Sequence, residues 1–238
     1  MQYELIIFDL DDTLIDNLEN VRYAYKKMIE YMGQEYNEQG FEKWLLFDKK
    51  FWIDFYEGKF SIPHEKNDSK FVPYVQSLRY YLFFNKQITM DKALEINDLF
   101  LSSLKEVVVP VEGAYETLEA LSKKYMLVVA TNGPKQAVES KLSKIDCLKF
   151  IRNIFSADMT KNKVTKPNKL FFEELFDYLD FHDKNKVLLV GDSLHSDIMG
   201  AMNAQIDSCW FNRNNETLPD EYEPTIVVEE LKQLIKRL

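Results

Sequence analysis

The run Leu5-Ile6-Ile7-Phe8-Asp9-Leu10-Asp11-Asp12-Thr13-Leu14 constrains this chain more than any other stretch. Its apolar opening is too short for a helix and is bounded by charge, so it reads as a strand buried on both faces, as in a parallel sheet. Asp9, Asp11 and Asp12 then stand at or just past the strand's carboxyl end. That rim is where open α/β sheets bind ligands, and carboxylates at such density call for a cation. A solvated turn accounts for the same residues, since Asp is common in turns. The stretch alone leaves both readings open.

The strand needs partners, and the next third of the chain offers none. From Asn17 to Met32 apolar residues recur at helical spacing (Val21, Ala24, Tyr25, Met28, Ile29, Met32) until Gly33 stops the pattern. Phe41 to Tyr56, Val72 to Phe84 and Asp91 to Lys105 repeat it, with Gly58, Pro63 and Asn67-Asp68-Ser69 as punctuation. Residues 16–105 are therefore expected to form an all-helical module. Its core is assigned to Phe47, Phe51, Trp52, Phe55, Tyr56, Tyr80, Tyr81, Phe83 and Phe84, from which a subset could face a substrate.

Beyond residue 106 the pattern alternates strand and helix. Strands are expected at 126–130, 154–156, 187–190, 206–211 and 225–228, and helices at 113–124, 136–142, 169–179, 198–203 and 229–237. The first strand finds parallel-sheet material only there. Residues 1–15 and 106–238 are thus expected to form one α/β core, a Rossmann-like doubly wound parallel sheet, with residues 16–105 inserted as a helical cap. At 238 residues and 46% hydrophobic, the chain can bury such a core.

The formal net charge of -9 argues against a nucleic acid polymer as partner, because neutralising many phosphates needs a basic face. One small phosphate is a different matter, since a cation, a lysine and a few N–H groups can hold it. Cys147 and Cys209 form no disulfide framework and no zinc spacing, which suits a reducing cytoplasm. The start lacks the basic region and cleavage site of a signal peptide, and no segment is long enough to span a bilayer, so no membrane association is expected. Oligomeric state is not legible in the residues.

Four groups of polar residues fall at strand ends: Asp9-Leu10-Asp11-Asp12-Thr13, Thr131-Asn132-Gly133, Lys166-Pro167, and Gly191-Asp192 through Asp197. In this order they resemble the haloacid dehalogenase superfamily, whose phosphatases carry DxDxT, a strand-end Ser or Thr, a Lys, and GDxxxxD. The resemblance covers the whole core. The insert directly after the first motif is similar to the subclass with an α-helical cap.

The resemblance implies a Mg²⁺-dependent phosphomonoesterase acting on a small phosphorylated metabolite through an aspartyl phosphate. Asp9 would be the nucleophile. Asp11, two residues on and on the same side of an extended chain, would pass a proton to the leaving oxygen and later take one from water. Mg²⁺ would meet Asp9, the backbone carbonyl of Asp11, and Asp192. Thr131 and Lys166 would serve the phosphate, with N–H groups of Leu10, Asn132 and Gly133 adding donors. Lys166 has a rival in Lys163. Asp197 could be an outer-shell metal group or could simply stabilise a helix start. Asp12 and Thr13 are read as tying the turn, and His195 as facing solvent.

The dehalogenases themselves lack an acid at the second motif position, so Asp11 points to phosphate rather than haloacid chemistry. At finer grain, Thr131-Asn132-Gly133, Asn203-Ala204, Cys209-Trp210-Phe211-Asn212, and Trp52 with Tyr56-Glu57-Gly58 are similar to the bacterial nucleotidases of this superfamily that hydrolyse pyrimidine nucleoside monophosphates. Gln205 stands where Gly is usual. Arg79 or Asn85 is expected to offer polar contacts to a base edge. The alternatives are a sugar-phosphate or phosphoglycolate phosphatase, and a non-catalytic binding protein with the same fold.

Overall fold

A computed structural model describes residues 3–65, 68–133, 135–161 and 163–238 of the chain. Asn67 of the expected punctuation and the side chain of Tyr56 lie outside the described residues. The chain divides into two compact units, Met1–Asn17 with Val108–Leu238, and Leu18–Val107.

The first unit is built on a six-stranded sheet: β1 (Leu5–Phe8), β2 (Met126–Thr131), β3 (Asn153–Ser156), β4 (Val187–Gly191), β5 (Asp207–Phe211) and β6 (Ile226–Val228). The strands lie in the order β3-β2-β1-β4-β5-β6, and every pairing is parallel. The order reverses at β1, which pairs with β2 on one side and β4 on the other. In doubly wound sheets this reversal opens a crevice at the carboxyl ends.

The strands read as unbroken apolar runs because both faces are covered. Ile6 and Phe8 point to one face, where they meet Leu118 and Leu121 of α5 (Ala114–Leu121), Val138 and Leu142 of α6 (Lys135–Lys144), and Leu234 of the closing helix (Gln233–Arg237). Leu5 and Ile7 point to the other, against Phe171, Phe172 and Leu175 of α7 (Lys169–Leu179) and Ala201 of α8 (Met199–Ala204). The closing helix is shorter than the expected 229–237. Gln233 and Leu234 bond to the carbonyls of Glu230 and Leu231, three residues back, so the chain enters it through tight turns.

The second unit holds α1 (Asn17–Tyr31, its first residue shared with the core unit), α2 (Glu38–Tyr56), α3 (Phe71–Phe83) and α4 (Met90–Glu106). Asn37 caps α2 by accepting from Gly40 N–H, and Thr89 caps α4 by accepting from Lys92 N–H. Trp44 centres the core, stacked on Tyr80 at 5.3 Å with Phe83 edge-on at 4.9 Å, and with Tyr25, Phe41 and Phe100 around it. Of the expected core aromatics, Phe51 and Tyr80 are buried and Phe47, Tyr81, Phe83 and Phe84 half-buried.

Candidate active site

Three neighbouring strands deliver the polar residues to one rim. Asp9 follows β1, its N–H bonded to Val190 O at 2.8 Å; Thr131 ends β2; Gly191 ends β4 and Asp192 follows it. Past β4 the chain makes a π-type turn, Leu194–Ile198, closed by Ile198 N–H on Ser193 O at 3.2 Å, before α8 begins. The expected helix at 198–203 thus starts one residue later, behind this wider turn. The turn tucks Asp197 inward, where it is fully buried. Gly191 makes that possible: a Cβ there would lie 2.3 Å from the Asp197 carboxyl carbon.

Lys166 lies in the loop before α7 and is buried between two carboxylates. Its Nζ donates to Asp9 Oδ1 at 2.6 Å and to Asp197 Oδ1 at 2.7 Å. Asp197 also accepts Ser193 N–H on Oδ2 at 3.1 Å, so both of its oxygens have protein partners. Asn132 fixes the lysine's backbone from both sides, accepting Lys166 N–H at 2.8 Å and donating to Lys166 O at 3.2 Å. This side-chain use of Asn132 was not foreseen. Lys163, the rival, is exposed and donates to Asp158 O at 2.6 Å.

Asp192 is held just as locally. Thr13 Oγ1 donates to its Oδ1 and accepts from its N–H, both at 3.0 Å, and Trp210 Nε1 donates to its carbonyl at 2.9 Å. Thr13 therefore ties the first motif to the fourth. Asp12 occupies a left-handed conformation (φ 63), and its carboxylate receives Asn17 N–H and Arg213. Arg213 also reaches Asp16 at 3.0 Å, clamping the turn.

Asp9, Asp192 and Asp197 bring carboxylate oxygens within 4.8 Å of one another. Burial pushes the Asp9 carboxyl up, the Lys166 ammonium pulls it down, and Asp197 pushes it up again; the net direction is upward. Asp192 is pushed up to about 6, by burial first and then by the charge of Asp9. Burial acts to lower the Lys166 ammonium, but Asp197 and Asp9 outweigh it and hold the group above its ordinary range. One lysine cannot balance three crowded carboxylates. The all-oxygen donor set, strained by its own repulsion, fits a hard divalent cation such as Mg²⁺.

Asp11 stands apart from that cluster. Its Oδ1 accepts from Lys141 Nζ on α6 at 2.5 Å, a pairing that spacing along the chain does not reveal. Thr131 is buried, and its Oγ1 accepts Gly133 N–H at 3.1 Å. Leu10 buries its side chain in the core, and its carbonyl accepts from Leu14 and Ile15. His195 is exposed. In the helical unit, Arg79 is committed internally, to Asp48 at 2.7 Å and the Tyr80 hydroxyl at 2.6 Å, while Asn85 is exposed in a left-handed turn.

The whole chain has close counterparts. It is 24% identical to the pyrimidine 5'-nucleotidase YjjG of Escherichia coli (strain K12), over 98% of this chain and 97% of that protein. It is 25% identical to the pyrimidine 5'-nucleotidase PynA of Streptococcus pneumoniae, over 99% and 94%. A glyceraldehyde 3-phosphate phosphatase of Pyrococcus furiosus is 26% identical over 99% and 92%. The magnesium-bound crystal structure of the HAD-hydrolase YfnB from Bacillus subtilis superposes with a TM-score of 0.81 at 23% identity, covering 100% of this chain and 99% of that one. With residues 6–211 matching the family's own pattern, the chain belongs to the haloacid dehalogenase-like hydrolase family.

Proposed function

We propose that the protein is a Mg²⁺-dependent phosphomonoesterase that acts through an aspartyl phosphate on Asp9, with nucleoside 5'-monophosphates, pyrimidine above purine, as preferred substrates. The observation that carries the chemistry is Asp9 at the switch point of the sheet, paired with Lys166 and crowded by Asp192 and Asp197. The nucleotide rests on the similarity to YjjG and PynA.

An Asp9 carboxylate oxygen attacks phosphorus while the bond to the leaving oxygen breaks, and Asp11 gives that oxygen its proton. Asp11 then takes a proton from water, whose oxygen attacks the phosphorus and frees Asp9 and inorganic phosphate. Lys166 and the Thr131 hydroxyl offset charge on the phosphoryl oxygens, joined by N–H groups of Leu10, Asn132 and Gly133. Asp9, Asp192 and the Asp11 carbonyl would hold Mg²⁺, which when bound neutralises the carboxylates and the phosphate. Asp197, with both oxygens engaged, takes the outer-shell place.

We assign the helical unit as the cap that sets leaving-group choice. We assign the protein to the cytoplasm. Both of its cysteines are free and buried, and no helix among the described residues is long and apolar enough to cross a membrane.

The test is kcat/KM for UMP, dTMP, AMP, a hexose phosphate and phosphoglycolate, measured side by side with Mg²⁺. The expected order places UMP and dTMP first. A tenfold lead for the sugar phosphate or phosphoglycolate overturns the nucleotidase reading, and full turnover in excess chelator overturns the metal. Trp52→Ala is expected to erode discrimination among these substrates more than turnover of an aryl phosphate.

A further inference from the structure

We propose that Lys141 is a positioning residue of this reaction: its ammonium holds Oδ1 of the Asp11 carboxyl group, leaving Oδ2 to carry the proton that passes to the leaving oxygen. The proposal rests on the role given to Asp11 above.

Lys141 Nζ lies 2.5 Å from Asp11 Oδ1, across 130 positions of sequence. Its helix, α6, is anchored on either side of it, because Val138 and Leu142 are buried in the sheet's core. The ammonium therefore projects from a rigid element. Asp11 projects from a turn, with Asp9 and Asp12 close enough to interact electrostatically with it. A carboxylate so placed is driven away from its neighbours, and side-chain rotation offers it several ways to leave. The lysine selects one. The buried trio of Asp9, Asp192 and Asp197 has its own cation in Lys166, so the site uses separate lysines for the attacking group and for the group that handles the leaving oxygen.

Such a pair is only half-buried, with side-chain exposures of 27% and 35%, and adds little to stability. Its contribution is geometric. A proton donor matters most when the leaving oxygen is strongly basic, and misplacing it penalises such substrates selectively.

The experiment compares kcat/KM for phenyl phosphate and p-nitrophenyl phosphate, which share a shape and differ in leaving-group basicity. The full-length wild type, Asp11→Ala, Lys141→Met, Lys141→Arg and the Asp11→Ala/Lys141→Met double variant are assayed with Mg²⁺. For Lys141→Met we expect a loss of roughly tenfold or more on phenyl phosphate and under about threefold on p-nitrophenyl phosphate. Lys141→Arg should recover most of the loss, and Lys141→Met should add nothing in the Asp11→Ala background.

Equal losses on both substrates, or a full further loss in the double variant, overturn the proposal and make Lys141 a binding or structural residue. If Lys141→Met fails to fold, Lys141→Gln takes its place: a loss larger on phenyl phosphate than on p-nitrophenyl phosphate is required of it, and equal losses or none overturn the proposal. If Asp11→Ala itself shows no selectivity, the role of Asp11 is wrong and the proposal falls with it.

Discussion

The two lysine–carboxylate groups of the site differ in burial, and so in what each can do. Lys166 is enclosed, with a side-chain exposure of 1%, and serves both Asp9 and Asp197; Lys141 is half-open to solvent and serves Asp11. In the enclosed group the lost hydration of both carboxylates is recovered only while Lys166, the cation they share, is present. In the open group water replaces either partner at small cost. The first arrangement fixes charge, whereas the second fixes direction.

The largest expected effect breaks the enclosed group at its reacting end. Asp9→Asn should lower kcat by at least about 10⁴-fold, because it removes the nucleophile. Thermal stability should hold or rise, since Lys166 keeps Asp197 and a charge-balanced pair remains. Calorimetry with a turnover assay checks both halves, and substantial residual activity would refute the nucleophile.

Removing the shared cation is the converse. Lys166→Met leaves Asp9 and Asp197 buried together and should destabilise by about 3–5 kcal/mol, read from denaturant unfolding. A loss near zero would mean that water already enters the group.

Next in size is the pH dependence of the metal-free protein. Asp192 sits at about 6 rather than its ordinary 3.8, so the folded state holds this proton more tightly than the unfolded chain does. Its contribution to stability is present at low pH and is lost as pH rises through that interval, by roughly 3 kcal/mol at most. The upward shifts of Asp9 and Asp197 carry the same sign. Chelated protein should therefore lose melting temperature between about pH 4 and pH 6. Asp192→Asn should flatten that loss, and Mg²⁺ should raise the melting temperature more at pH 7 than at pH 5. A chelated protein that gains stability over the same interval would contradict these upward shifts, set first by burial and then by repulsion.

The smallest effect sharpens the contrast. Lys141→Met should change stability by less than about 1 kcal/mol, although the same substitution is expected to disturb turnover of substrates with basic leaving groups. A loss comparable to that of Lys166→Met would erase the distinction between the two groups.

Much of the sheet was readable because a strand covered on both faces leaves an apolar run with charge at its end. Val187 to Val190 before Gly191-Asp192, and Met126 to Ala130 before Thr131, show this as clearly as Leu5 to Phe8. The helical unit was readable in period but less so in its centre. Trp44 and Phe100 were missing from the expected aromatic core, because periodicity marks a helix's buried stripe without saying which ring fills the middle. Arg79, expected with Asn85 to offer polar contacts to a base edge, is enclosed by Trp44, Tyr80 and Phe100 and paired with Asp48.

The sequence by itself determined the order of strands and helices and the placement of Asp9, Asp11 and Asp192 at strand ends. Alternation, apolar run length and chain direction are local properties, and a strand's carboxyl end lies on the same rim as that of its parallel neighbour. Only the tertiary structure decided that Lys166 rather than Lys163 enters the carboxylate group. It also showed that Asp197 turns inward over Gly191, that Asn132 holds the lysine's backbone, and that Lys141 meets Asp11. Each of these rests on residues brought together from different loops and helices, or on a turn one residue wider than an α-helix. Spacing along the chain does not encode such encounters; they are settled by which surfaces the packed sheet leaves facing one another.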